Sequence, residues 1–215
     1  MPMWCKRTAN AGVLLALDGV KLLLDGVCGK IEPYLETPEN EKVALLQSPP
    51  DCVAFTHGHI DHCDVSFIPA YLEKTAGPVM GPADIPYCEA VERKIGNVTI
   101  TPVESRHIGK SDGSLHQSYV IQGSKCVWFT GDASPLQLRK WEGFPKPQVI
   151  IAPYAYATGN AWQICKDLGA ETVVLLHLPE RDKDPYGLWD AVKQTVGADT
   201  CPKLLIPEMG EKLFL

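Results

Sequence analysis

The sequence has no run of 18 apolar residues, so no membrane span is expected. It also lacks any Cys-x-x-Cys pair. Its eight cysteines, at positions 5, 28, 52, 63, 88, 126, 165 and 201, are scattered, several inside apolar runs. That usage excludes a disulfide frame and fits buried free thiols in a reducing compartment. The first residues, Met-Pro-Met-Trp-Cys-Lys-Arg, carry positive charge but no apolar core or cleavage site of a secretory signal, so a cytoplasmic location is expected. Internal repeats, low-complexity tracts and blocks of like charge are all missing. No linker is therefore placed, and residues 1–215 are expected to form one domain. A basic excess is missing as well. The net charge of -6 argues against a nucleic-acid partner and leaves a small phosphorylated substrate open.

What the chain does concentrate is histidine. It holds six, and three fall in Val53 to Asp64, Val-Ala-Phe-Thr-His-Gly-His-Ile-Asp-His-Cys-Asp. A short apolar run with β character stops at Thr56, and His57, His59, Asp61 and His62 follow at once. Neutral imidazole with carboxylate suits zinc, iron or manganese rather than calcium or magnesium. His57 and His59, two apart in extended or turn geometry, can face one ion. Asp61 and His62, past the turn at Ile60, then face a second. Gly58 is expected to take an unusual φ that brings the backbone close to the metals.

The rest of the chain reads as a frame for this stretch. Strands are expected over 11–17 and 20–25, joined by the hairpin signal Asp18-Gly19. A helix over 39–47 is stopped by Pro49-Pro50. A strand over 52–56, a helix over 65–74, a short strand over 79–80 and a helix over 83–94, interrupted by Pro86, come next. Strands follow over 98–103, 116–122, 125–130 and 149–152, then a helix over 157–168, a strand over 172–176, a helix over 185–196 and a closing strand over 203–206. Hairpins first and strand–helix alternation later suit two sheets packed face to face with helices outside. Several strand ends carry a metal-ligand residue type: Asp25, His107, Asp132 in Val-Trp-Phe-Thr-Gly-Asp, and His177 in Thr-Val-Val-Leu-Leu-His. Taken singly, His107 can be a turn residue, Asp132 a cap before Ser134-Pro135, and His177 a core histidine.

In this order, His-x-His-x-Asp-His after a strand with the single residues at later strand ends resembles the metallo-β-lactamase superfamily. The resemblance extends from about residue 12 to 178 and reaches no particular member. It implies an α+β fold, the αββα sandwich of two mixed sheets. It implies two divalent metals, zinc first, with manganese or iron as alternatives. His57, His59 and His107 would hold one, Asp61, His62 and His177 the other, and Asp132 would bridge them. The implied activity is hydrolysis of an ester, lactone or phosphodiester of a small molecule by a metal-bridging hydroxide, which Asp61 would orient. Asp25 would bond the ligand loop rather than a metal. The intact ligand set argues against β-lactam cleavage, and the family's dimer-forming loops leave a homodimer open. Two readings of other classes stand beside it: a mononuclear iron oxygenase resembling the persulfide dioxygenases, and a non-catalytic metal- or partner-binding module. Around the motif, His116 either donates a proton to a leaving group or is a solvated loop residue. Arg106 pairs with a substrate anion or a surface carboxylate. Tyr154 and Tyr156 line a pocket or pack on the following helix.

Overall fold

In a computed structural model, the structure describes residues 2–109, 113–141 and 143–215. The strands in chain order are β1 (Trp4–Arg7), β2 (Val13–Leu17), β3 (Val20–Leu24), β4 (Cys52–Ala54), β5 (Val79–Met80), β6 (Arg93–Ile95) and β7 (Val98–Glu104). They continue with β8 (Gln117–Gln122), β9 (Cys126–Phe129), β10 (Val149–Pro153), β11 (Thr172–Leu176), β12 (Lys203–Leu205) and β13 (Lys212–Phe214). One sheet runs β13-β1-β2-β3-β4-β5 and the other β12-β11-β10-β9-β8-β7-β6. Both are mixed. β3-β4-β5 and β9-β10-β11-β12 pair in parallel, and the other neighbours are antiparallel. The β2–β3 turn has Asp18 at φ 51° and Gly19 at φ 86°, the two left-handed residues that a type I′ hairpin requires.

Strand alternation assigns each face to a layer. Leu22, Leu24, Cys52, Ala54, Val127, Phe129, Val149, Ile151, Val174 and Leu176 meet in the core between the sheets. Their alternates divide between two outer cores. Leu23, Val53 and Phe55 pack with Leu45 of α1 (Glu39–Gln47) and Phe67, Ile68 and Tyr71 of α2 (Phe67–Lys74). Trp128, Ile150, Val173 and Leu175 pack with Trp162 and Ile164 of α3 (Ala161–Asp167) and Val192 and Val196 of α4 (Leu188–Val196). This is the αββα sandwich. Among the described residues no helix is long and apolar enough to cross a membrane.

The expected helix over 83–94 does not form. Pro86 lacks the N–H that the second turn of such a helix needs, Tyr87 sits at φ 67°, and Arg93–Ile95 instead pairs with β7 across Gly96-Asn97. β1 and β13, which pair with each other at the outer edge of the first sheet, had no counterpart in the sequence reading. Helices α2, α3 and α4 each begin two to four residues later than expected, at 67, 161 and 188.

Candidate metal centre

The sandwich has one rim where β3, β4, β7, β9 and β11 end and β8 begins. All six histidines of the chain stand there, linked by ring contacts of 4.1 to 5.7 Å between centroids. Asp25, His57, His59, Asp61 and His62 come from the first sheet, and His107, His116, Asp132 and His177 from the second. Hydrogen bonds join the two sheets at this rim: Gln117 N–H donates to the Thr56 carbonyl at 2.9 Å, the Tyr119 hydroxyl to the Phe55 carbonyl at 2.7 Å, and His177 N–H to the Asn10 carbonyl at 3.1 Å.

Four of the rings are held through Nδ1. Asp25, fully buried, accepts from the Thr56 N–H at 2.7 Å, the Thr56 hydroxyl at 2.6 Å and His62 Nδ1 at 2.8 Å. Because the Thr56 proton goes to Asp25, its oxygen accepts from His57 Nδ1 at 3.0 Å. His107 Nδ1 donates to the Ile108 carbonyl at 2.6 Å. His116 Nδ1 donates to Ser105 at 2.8 Å, Ser105 to Ser118 at 2.9 Å, and Ser118 to the Thr130 carbonyl at 2.7 Å. All four rings thereby turn Nε2 inward, that of His57 to within 3.0 Å of His59 Nδ1.

Those inward atoms make the case for a cation. Nε2 of His62, His107 and His116 and Oδ1 of Asp132 are buried with no hydrogen-bond partner, and each such atom costs about 1–3 kcal/mol if nothing satisfies it. Three overlapping sets bring their ligand atoms within 4.8 Å of one another: His57, His59 and His107; His57, His62 and Asp132; and Asp61, His62 and His177. Asp132 lies between them, with Oδ2 3.6 Å from both His107 Nε2 and His177 Nε2 and Oδ1 3.5 Å from His62 Nε2. Imidazole with carboxylate is a donor set for zinc, iron or manganese. These residues fit a divalent-metal centre.

The electrostatics agree. Burial and the neighbouring rings push the His57 pKa far down, and burial lowers that of His116 to about 3, so both rings are neutral. Burial also opposes charge on His62, but Asp132 and Asp25 outweigh it and raise its pKa well above the usual value. Burial works against ionised Asp132 too, and His177 and His62 hold it well below the carboxylate range. Burial pushes Asp25 up against its three donors. Each charged group here thus leans on a neighbour of opposite sign.

The backbone is bent to serve the rim. Asp25 at φ 45° and His177 at φ 63° are left-handed non-glycine residues, each costing about 1–2 kcal/mol. Buried Arg7 braces the second. Its guanidinium donates to the carbonyls of Ala9 at 3.2 Å, Asn10 at 3.3 Å, Leu178 at 3.5 Å and Pro207 at 3.2 Å, two of which flank His177 or hold its N–H. Gly131, at φ 50°, sits so close to Thr56 that a Cβ would lie 2.5 Å from its hydroxyl oxygen. Gly58 differs from expectation: its φ is not positive, and a Cβ there would meet only Ile85 at 3.7 Å. The ligand loop bends at Asp61 and His62 instead, where His62 and Cys63 N–H close a turn onto the His59 carbonyl.

Two clefts abut the cluster. The larger, about 770 Å³, is lined by Pro82, Ala83, Ala90, Arg106, His107 and His116 among others. The smaller, about 330 Å³, lies between Tyr34 and Tyr154 over Asp132 and His177. Tyr156 lines neither; it is buried, with its hydroxyl on the Ala133 carbonyl at 2.9 Å. Of the loop containing His116, residues 111 and 112 lie outside the described residues. Arg7, Tyr34, Thr56, Ser105 and Ser118 escaped the sequence reading. Only Thr56, adjoining the motif, carried a local signal.

No family model and no curated protein matches the sequence. Solved structures do. Igni18, a metallo hydrolase from the hyperthermophilic archaeon Ignicoccus hospitalis, is 17% identical with a TM-score of 0.73, over 100% of this chain and 99% of that one. The metallo-β-lactamase fold protein YhfI from Bacillus subtilis is 18% identical with a TM-score of 0.63, over 99% and 100%. CmlA, a diiron β-hydroxylase from Streptomyces venezuelae, is 13% identical with a TM-score of 0.69, over 100% of this chain and 54% of that one. Likeness at these identities shows the fold, which is that of the metallo-β-lactamases.

Proposed function

We propose that the chain is a metal-dependent hydrolase that holds two divalent metals, zinc before manganese or iron, and cleaves an ester, lactone or phosphodiester of a small molecule. His57, His59 and His107 would hold one metal and Asp61, His62 and His177 the other, with Asp132, which lies between the two sets, serving both. When bound, such a pair lowers the pKa of a water and polarises the oxygen of the scissile group. The chain's own groups do the rest. Asp25, Thr56 and the Ile108 carbonyl fix which nitrogen of each ring faces inward. Asp61 accepts a hydrogen bond from the attacking water and orients it. His116, whose unpartnered Nε2 is turned inward, would relay the proton of that water to the leaving oxygen. For an ester, water oxygen bonds to the acyl carbon, the bond to the leaving oxygen breaks, and the proton ends on the alcohol.

The observation that supports this reading is the inward, unpartnered Nε2 of His62, His107 and His116, each ring held by an outer hydrogen bond on Nδ1 and gathered around Asp132. Elemental analysis of purified protein is expected to find about two transition metals per chain, with hydrolysis abolished by a chelator. A protein that purifies metal-free and refuses zinc and manganese would overturn it. The fold shared with a diiron hydroxylase favours one second reading, an iron oxygenase. Iron without zinc, together with oxygen consumption, would select it. The same reading takes the 215 residues as one catalytic domain acting in the cytoplasm.

A further inference from the structure

We propose that Ser105 and Ser118 are positioning residues that hold His116 with its proton on Nδ1 and its Nε2 bare, so that the ring takes up and gives back a proton at that inward nitrogen alone. The use made of the proton rests on the hydrolase reading; its placement on the ring does not. The groups involved come from three neighbouring strand ends. The pairing of β7 with β8 sets Val103 against Ser118 and Glu104 against Gln117. It carries on to Ser105, whose N–H donates to the His116 carbonyl at 3.0 Å. Residues two apart on one strand and those opposite them on the next share a face, so His116, Ser118 and Ser105 point the same way. β8 pairs with β9 through Tyr119 and Phe129, which leaves Thr130 beside Ser118.

A carbonyl settles the direction of the chain. Ser118 is fully buried, and its hydroxyl lies 2.7 Å from the Thr130 carbonyl, an oxygen that only accepts. Ser118 has one proton and spends it there. Toward Ser105, at 2.9 Å, it therefore accepts, and Ser105 donates. Ser105 has then spent its own proton, so toward His116 Nδ1, at 2.8 Å, it accepts and the ring donates. The opposite order would set the Ser118 and Thr130 oxygens against each other with no proton between them. A neutral ring carries a single N–H, and with that on Nδ1 the other nitrogen is bare. His116 Nε2 is indeed buried without a partner, in a ring 4.9 Å from that of His57 and 5.7 Å from that of His107 between centroids. The Thr130 carbonyl also accepts from the Ala133 N–H at 3.2 Å, so the turn that carries Asp132 anchors the far end of the chain. For protons the chain is a dead end, since a carbonyl has none to release. A proton taken from water at Nε2 makes the ring cationic. It leaves only by Nε2, to the leaving oxygen, and the neutral ring is restored.

The test is nitrogen-15 NMR of histidine-labelled protein, as purified and after addition of zinc, with the His116 signals identified by their loss in His116→Gln. The wild type is expected to show a protonated Nδ1 and a bare Nε2. Ser118→Ala frees the Ser105 proton to turn to Nδ1, so the reverse pattern is expected, with Nε2 protonated. Ser118→Thr, which keeps the hydroxyl, should show the wild-type pattern. Turnover of phenyl acetate and p-nitrophenyl acetate by zinc-loaded protein is the second readout. Ser118→Ala is expected to lower kcat about tenfold or more with KM unchanged, out of the roughly 100–10,000-fold that a positioned acid–base contributes. The loss should be larger for phenyl acetate, whose leaving oxygen needs the proton more. A bare Nδ1 in the wild type, or a folded Ser118→Ala with the tautomer unchanged, overturns the inference. Where Ser118→Ala does not fold, Ser105→Ala decides at a half-buried position: a mixture of tautomers is expected, and a single unchanged one overturns the inference. A reversed tautomer with kcat unchanged overturns the role in turnover. Protein that holds zinc and cleaves neither ester counts against the hydrolase reading, and the NMR pattern still decides where the proton sits.

Discussion

Thr56 illustrates how much a single hydroxyl can organise. It gives its proton to Asp25 and takes one from His57 Nδ1, so it fixes the tautomer of that ring. Thr56→Val keeps the shape and removes both bonds. The expected result is a 10–100-fold loss of metal affinity in chelator competition, the usual cost of losing such an outer partner, with little change in fold by circular dichroism. His62 gives the pH dependence. Its pKa is raised in the metal-free protein, chiefly because Asp132 and Asp25 outweigh burial. The stability contributed by that proton is fully present below about 6.5, the unfolded value, and is lost as pH rises through the raised folded value. A metal must displace the same proton. Uptake near neutral pH is therefore expected to release protons, and affinity to climb with pH, as calorimetry in buffers of different ionisation enthalpy would show.

At the scale of elements, the rim is a meeting of chain segments far apart in sequence. β1 carries Arg7 under the left-handed turn after β11, where its guanidinium binds carbonyls of four residues and no carboxylate. On the proposed two-metal reading, Arg7→Met is expected to weaken binding at the Asp61, His62 and His177 set about tenfold, leaving the three-histidine set near normal in a stepwise cobalt titration. Equal loss at both positions would mean a general structural role. The histidines and aspartates at the rim were legible because metals accept few side-chain types, and six histidines gathered at or near strand ends leave little freedom. Arg7 was not legible, since its partners are main-chain carbonyls that carry no residue identity. Neither was Tyr34, whose loop has no periodicity, nor β6, where the proline-rich run before it masked the Gly96-Asn97 hairpin signal. The alternating Leu22-Leu23-Leu24 and Ile150-Ile151-Ala152 runs spoke for buried strands but not for which outer core each face would join.

For the molecule as a whole, metal and fold are linked. If free metal stands about a thousandfold above its Kd, binding adds about 4 kcal/mol to the folded state. For a chain of this size each kcal/mol is worth about 2–4 °C, so chelation is expected to lower Tm by about 10 °C in scanning calorimetry. Unchanged Tm on chelation would show that no metal had been held by the folded protein.

The seam at the rim, with Gln117, Tyr119 and His177 each bonded from one sheet to the other, has a mechanical corollary. Cations gripped by side chains from both leaves would act as rivets at one end of a hinge-bound book. Breathing of the sandwich should then start at the opposite margin, with the backbone amides of β4, β9 and β11 next to the rivets the slowest to exchange with deuterated water.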